Sequence, residues 1–319
     1  MIYTLTLNPV LDRTLTVAAL QLNEVLRVID VHLDCGGKGF NVSRALKMLG
    51  MNSTALGFVG GNTGQQLERG LSGLGIPTDF IQVDGETRTN TVIIEAGTGT
   101  YLKANEPGPT VASPYQTALV EKVQSLAQSG DTWVLSGSLP PGLPPGFYAS
   151  LIRILKSQGA RVYLDASGEP LSTSAAAAPS LIKPNLDEAS QAFGRPITSE
   201  NDLAAAIDFI LGLGVELVAL STGPDGLWLA SRTYRVHACP PPITLCNPVG
   251  LGDALLAGLV WSFSQGFSLE ESARWGVACG TAAAMASGVN FGTLADVTAI
   301  FNLVTLDRSL SPQSLIPNH

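Results

Sequence analysis

The chain has 319 residues, 45 % of them apolar and 14 % charged, a balance that excludes a disordered chain and leaves room for one large domain or two ordinary ones. Its 34 glycines and 20 prolines stay below the range of low-complexity sequence. The formal charge of −8 argues against wholesale binding to nucleic acid or an anionic membrane, and it requires particular members of the 18 Lys and Arg to hold any anionic substrate.

A strand is predicted at Ile2–Leu7, followed by residues 12–34, which read as strands with no crossover helix. Next come a helix at Gly39–Leu49, a strand at Thr54–Val59 and a helix at Thr63–Leu74. Residues 85–105 are a second helix-free stretch, with Thr89–Glu95 and Gly99–Ala104 as a hairpin around Ala96-Gly97-Thr98. The order from there is helix Pro114–Gln128, strand Thr132–Ser136, helix Pro145–Ser157, strand Arg161–Asp165, strand Ser180–Lys183, helix Asn201–Leu213 and strand Glu216–Ser221. Helices at Asp253–Ser264 and Ser268–Ala286 close the series. Strand–helix alternation predicts an α/β fold with a mostly parallel sheet covered on both faces. Its core is expected from residues 1–11, 35–84 and 106–306, a small β sheet from 12–34 and 85–105, and a loose Ser/Pro-rich tail from 307–319.

The cysteines at 35, 239, 246 and 279 have no CxxC spacing, and the histidines at 32, 237 and 319 form no metal-ligand cluster. Neither a disulfide framework nor zinc is expected, and free thiols suit a reducing cytoplasm. The opening MIYTLTLNPVLDRT lacks the basic and apolar regions of a signal peptide. The uncharged stretch Trp275–Ala295 is broken by glycines and reads as a buried helix and loop rather than a membrane span.

From Val236 through Leu269, Asp253 is the only Asp, Glu, Lys or Arg. It follows Gly250 and Gly252 and opens a helix that is apolar almost all round, hence buried. Glycines before a helix N-terminus expose backbone N–H groups suited to phosphate oxygens. A carboxylate there suits proton removal from an attacking hydroxyl, and the competing reading is an ordinary N-cap. Gly36-Gly37-Lys38-Gly39-Phe40-Asn41 opens another helix, as either a ligand loop or a structural turn; it is no Walker A motif. Asp12 ends the first strand region and suits sugar hydroxyls, or a turn. Arg27, Lys38, Arg88 and Lys103 together would make a clamp for a phosphate monoester. Lys183-Pro-Asn185-Leu-Asp-Glu188 and Ser221-Thr-Gly223-Pro-Asp-Gly226 mark strand ends, and either is also readable as plain punctuation.

Taken together, TLNPVLDRT (6–14), GGKGFNVSRAL (36–46), GETRTN (85–90), NEPGP (105–109), LSGSLPPG (135–142), DASGE (165–169), KPNLDE (183–188) and NPVGLGD (247–253) resemble the ribokinase-like PfkB carbohydrate kinases. The likeness runs over residues 1–300 and is nearest to the branch of 1-phosphofructokinases and tagatose-6-phosphate kinases. It implies a three-layer sandwich with a β-sheet lid, ATP with Mg²⁺, a ketohexose monophosphate as acceptor, and a homodimer through the lid. It implies Asp253 as catalytic base and Gly250 with Gly252 as anion hole. Sugar contacts fall on Asp12, Gly37, Lys38 and Asn41, beside Gly36, and phosphate contacts on Arg88 and Ser138. Arg27 matches a position that reaches across a dimer interface. Lys183 and Asn185 match the nucleotide region, Glu188 a residue that organises Mg²⁺ through water, and Ser221, Gly223 and Gly226 the ATP loop.

Two residues depart from the pattern. Leu251 replaces a small residue of the anion hole, where a branched side chain would alter the γ-phosphate approach, and Pro248 is found in the tagatose branch. The alternatives are a kinase of an unphosphorylated sugar or nucleoside, and a sugar-phosphate-binding regulator with little catalysis. A nicotinamide dehydrogenase is disfavoured, because no GxGxxG follows the first strand.

Overall fold

In a computed structural model, which describes residues 1–246, 248–286 and 291–307, the chain builds two sheets. In order, the elements are β1 (Ile2–Thr6), β2 (Val10–Val17), β3 (Val28–Gly36), α1 (Lys38–Met48), β4 (Thr54–Val59), α2 (Gly61–Gly73), β5 (Ile81–Gln82), β6 (Arg88–Glu95) and β7 (Tyr101–Ala104). There follow α3 (Ser113–Leu126), β8 (Thr132–Ser136), α4 (Phe147–Ser157), β9 (Arg161–Asp165), α5 (Gly168–Ala175), β10 (Leu181–Ile182), α6 (Leu186–Phe193) and α7 (Glu200–Gly212). The last are β11 (Leu217–Ser221), β12 (Leu227–Ala230), β13 (Arg235–Cys239), α8 (Leu251–Ser264), α9 (Leu269–Met285), α10 (Leu294–Phe301) and β14 (Thr305–Asp307).

Ten strands form the main sheet in the order β14-β13-β12-β11-β10-β9-β8-β1-β4-β5, parallel from β5 to β11 and antiparallel beyond. Period-2 alternation divides its strands between two cores. Trp133 and Leu135 of β8, with Val162 and Leu164 of β9, pack into the core shared with α3 to α7. Val134 and Tyr163 point the other way, into the core under α1, α8, α9 and α10. Both faces are thus covered, as a parallel sheet requires.

Strand order reverses at β1, which lies between β4 and β8. The crevice beyond the carboxyl ends of these strands is where ligands bind in open α/β sheets. Leu7, Asn8 and Pro9 lead from β1 straight into β2 of the second sheet, whose order is β3-β2-β6-β7. That sheet is two-faced. Asp12, Thr14, Asn90 and Lys103 share one face by register, while Leu15, Val31, Leu33, Ile93 and Leu102 share the other.

Several expectations shift. The small sheet begins at Val10 rather than 12 and keeps β3 through Gly36. The strand expected at 180–183 shrinks to two residues, and β5, β12, β13, β14, α5, α6 and α10 are additional elements, each short and weakly patterned. Asp307, assigned to the tail, pairs with His237 in the sheet, and 308–319 lie outside the described residues. Among the described residues no helix is long and apolar enough to cross a membrane.

Candidate active site

Helix α8 starts at Leu251, two residues earlier than its sequence pattern predicts, with Gly250 as its N-cap at φ 78°. Glycine adopts this left-handed backbone without strain. Asp253 therefore stands inside the first turn, and the N-cap reading of it is excluded. Helix geometry leaves the amides of 251–253 without intrahelical acceptors; the first such bond runs from the Ala254 N–H to Gly250 O at 2.9 Å. Asp253 is buried, and its Oδ2 accepts a 2.8 Å hydrogen bond from Asn41 Nδ2. Burial and the nearby negative charge of Asp165 push its pKa up to about 6, against the opposing pull of Asn41, Lys38 and Lys183.

A buried ion cluster lies beside it. Asp165, the last residue of β9, receives Lys38 Nζ on Oδ1 at 2.8 Å and Lys183 Nζ on Oδ2 at 3.3 Å. Burial would raise this carboxyl, and the two lysines overcome that to hold it below the usual range. The Lys183 ammonium stands 3.2 Å from where a Cβ on Gly252 would be, so it faces the start of α8. Lys38 also lies 3.7 Å from Glu188 Oε1. Glu188 uses its other oxygen to accept the Asn185 N–H, while Asn185 Oδ1 accepts the Glu188 N–H: a capping box on α6.

The glycines of the 36–41 loop serve close approach. A Cβ on Gly36 would collide with the Asp12 carboxylate, and one on Gly39 would stand 2.6 Å from Thr6 Oγ1. The loop is thus both the structural turn and the wall of a site. Asp12 is held by Asn90 Nδ2 at 3.1 Å, and its pKa is raised chiefly by burial. Arg88 lies at the mouth of the crevice. Its Nε and Nη2 donate to Asn8 O at 3.2 and 3.1 Å, and its Nη1 to Glu106 O at 3.2 Å. One N–H on each terminal nitrogen remains for a phosphate. Ser138 is exposed beside it, its Oγ accepting from Asn8 Nδ2 at 3.3 Å.

On the nucleotide side, Ser221 closes β11 and bridges to Asn185. A 3₁₀ turn at Gly223–Asp225 follows. Gly223 is exposed at φ 65°, whereas Gly226 is buried and a Cβ there would strike Ala238 O. The turn is in part the punctuation that its sequence also allowed.

Two expectations are corrected. The four-cation clamp does not assemble within one chain, because Lys38 is drawn to Asp165 and Arg27 sits at the far end of the small sheet. Arg27 is exposed beside Val28, which pairs with Val17, whereas Asp12 pairs with Asp34, about 20 Å along the strand. Lys103 keeps to the Asp12 face, where its charge opposes the rise that burial causes in that carboxyl's pKa. Leu251 does not fill the anion hole with its side chain, which packs against the apolar core under α8 and α9. Asn247 of the NPVGLGD motif lies outside the described residues. Sequence reasoning passed over Asp165 and Asn8 as functional positions. Their signals are a charged residue closing an apolar strand and a buried amide at a strand end.

This arrangement can hold an anion at α8, a polyol at Asp12 and Asn41, and a second anion at Arg88. The model for the pfkB family of carbohydrate kinases matches residues 5–295. The chain is 39 % identical over 284 residues to the 1-phosphofructokinase of Bacillus subtilis (strain 168), covering 89 % of this chain and 92 % of that one. It matches the crystal structure of phosphofructokinase-2 from Escherichia coli in complex with potassium at a TM-score of 0.91 and 32 % identity, over 95 % of this chain and 98 % of that one. The same enzyme in complex with fructose-6-phosphate matches at a TM-score of 0.88, with the same identity and coverage. By motif, fold and sequence alike, the chain belongs to the pfkB family of carbohydrate kinases.

Proposed function

We propose that the chain transfers the γ-phosphoryl group of ATP to the free primary alcohol of fructose 1-phosphate, giving the 1,6-bisphosphate. Phosphoryl transfer from ATP to a fructose monophosphate follows from the family and its 1-phosphofructokinase relatives. The position of the phosphate already present is the finer reading, supported by the name that those relatives share.

The observation that carries it is the placement of Asp253, buried and tied to Asn41, at a glycine-started helix. The sugar would lie between Asp12, Gly37, Lys38 and Asn41, with Arg88 and Ser138 on its phosphate. Asp253 accepts the hydroxyl proton as the new O–P bond forms and the β,γ-bridging bond breaks to release ADP. A pKa of about 6 makes this carboxylate a better base than an exposed Asp and leaves it ionised at neutral pH. The amides of 251–253 and Lys183 receive charge on the phosphoryl oxygens. Asn185, Ser221, Gly223 and Gly226 would line the nucleotide.

Among the described residues no group of three or more His, Cys, Asp or Glu could hold a metal ion alone. Glu188 has one oxygen outside its capping box, which fits Mg²⁺ carried by the nucleotide phosphates and reached through water. Mg²⁺ held in this way would supply neutralisation of charge on the phosphates.

The apolar face of the small sheet supports a homodimer. Ile29 is 62 % exposed, Val31 50 %, Leu33 43 % and Leu102 45 %, and a second copy of the same face would cover them.

An ADP-release assay with MgATP tests the function against fructose 1-phosphate, fructose 6-phosphate, tagatose 6-phosphate, fructose and ribose. The expected result is the highest kcat/KM on fructose 1-phosphate. Preference for another phosphate moves the assignment within the branch, and turnover on neutral sugars alone overturns it. Light scattering of the wild type and of Leu33→Asp checks the dimer, which the variant should weaken.

A further inference from the structure

We infer that Asn8 is a positioning residue for the substrate's own phosphate: its side chain latches the 105–109 loop and thereby sets the angle of Arg88. The inference rests on the proposed phosphate site. Asn8 is buried at the strand-order reversal and is used from both ends. Its main-chain carbonyl accepts Nε and Nη2 of Arg88. Its side-chain Nδ2 donates to Pro107 O at 3.1 Å and to Ser138 Oγ at 3.3 Å. Pro107 follows Glu106, whose carbonyl takes Nη1 of Arg88 and whose carboxylate accepts the Thr89 N–H at 2.8 Å. The contacts close a ring from the Asn8 side chain through Pro107, Glu106 and Arg88 back to the Asn8 carbonyl.

Gly108 provides a second observation. It has φ 93°, and a Cβ there would strike Asn8 Oδ1. Among the described residues the buried Oδ1 has no hydrogen-bond partner, so the side chain is held by its two donor contacts and by close packing on Gly108. The glycine of NEPGP is therefore required by the asparagine of TLNP, a hundred residues away. Arg88 recognises a phosphate only if its two remaining N–H groups point into the crevice, and their direction follows from where Glu106 O sits. With the latch cut, Arg88 keeps its contact to Asn8 O and pivots about it.

The test compares Asn8→Ala, Gly108→Ala and Arg88→Ala in steady-state kinetics with fructose 1-phosphate, fructose and ATP as varied substrates. Asn8→Ala is expected to raise KM for fructose 1-phosphate about tenfold, the size of one lost hydrogen bond to a charged group. KM for ATP and kcat should move less than about threefold, and the preference for fructose 1-phosphate over fructose should fall. Gly108→Ala, whose Cβ would collide with Asn8 Oδ1 and push the loop and the amide apart, should give the same pattern and stands in if Asn8→Ala does not fold. If Arg88→Ala raises that KM while both other variants leave it unchanged, the inference is overturned and the phosphate reading stands. If Arg88→Ala has no effect on it, the phosphate reading itself falls. Equal losses in kcat and both KM values for Asn8→Ala would mark a purely structural residue and also overturn the inference.

Discussion

At the end proposed to take the substrate's phosphate, Arg88 is held by two main-chain carbonyls near the surface. At the end proposed to be catalytic, Lys38 and Lys183 share Asp165, and Asp253, tied to Asn41, stands beside them, with both carboxylates and the Lys183 side chain buried. Backbone support leaves a cation poised without burying a charge. Mutual support between buried ions binds function to stability, because removing one member strands the others. Substitutions at the first end should therefore change affinity, and those in the Asp165 ion cluster should change rate and folding together.

The largest expected effect is on Asp253→Asn, with kcat lowered about 10²–10⁴-fold as the proton acceptor is lost. Its Tm at pH 7.5 should equal or exceed that of the wild type. The native carboxyl has its pKa raised, so its ionisation above about pH 6 opposes folding, and the amide removes that term. Near-normal turnover by the folded variant would sink the assignment. Asp165→Ala comes next. Removing the shared partner of two lysines should cost about 3–5 kcal/mol in urea unfolding. Because the Asp165 pKa is lowered in the native state, its contribution holds at neutral pH and fades as the solution is acidified through the carboxylate range. A loss below about 1 kcal/mol would show the ion cluster to be no different from a surface pair.

Arg88→Ala sharpens the contrast from the other side. KM for the sugar phosphate should rise about 10- to 100-fold with stability almost unchanged, and KM for a neutral sugar should stay put. Smaller still is the pH effect. The value of kcat/KM should fall about tenfold per unit as pH drops below about 6, where Asp253 takes up a proton. An acid limb that survives in Asp253→Asn would assign it to another group. Far from both ends, Ser268→Ala removes the capping box of α9 and should cost about 1 kcal/mol with turnover intact.

The sequence made Asp253 visible as the proposed base because its surroundings carry no other Asp, Glu, Lys or Arg and glycines precede it. Arg88 was visible only through its motif, since one arginine among polar residues has no local signature. Asp165 and Asn8 were hidden for one reason: their partners lie far off in the chain, at Lys38 for the first and at Pro107 and Ser138 for the second. Leu251 misled because a helix start shows which residues are near an anion site but not which way a side chain turns. The parallel half of the sheet was legible from its apolar strands, whereas its antiparallel edge is made of short strands whose pairing, not pattern, defines them.

The small sheet joins the main body through four short links, at residues 7–9, 37, 83–87 and 105–112. Asn8, Gly37 and the motif residues leading to Arg88 lie in or beside three of them, and the loop that braces Arg88 is the fourth. In kinematic terms the sheet is a platform carried on four links. On the proposed assignment, a tilt of that platform would displace the hydroxyl contacts and the phosphate contacts in step, so the acceptor sugar would be gripped or released as a whole.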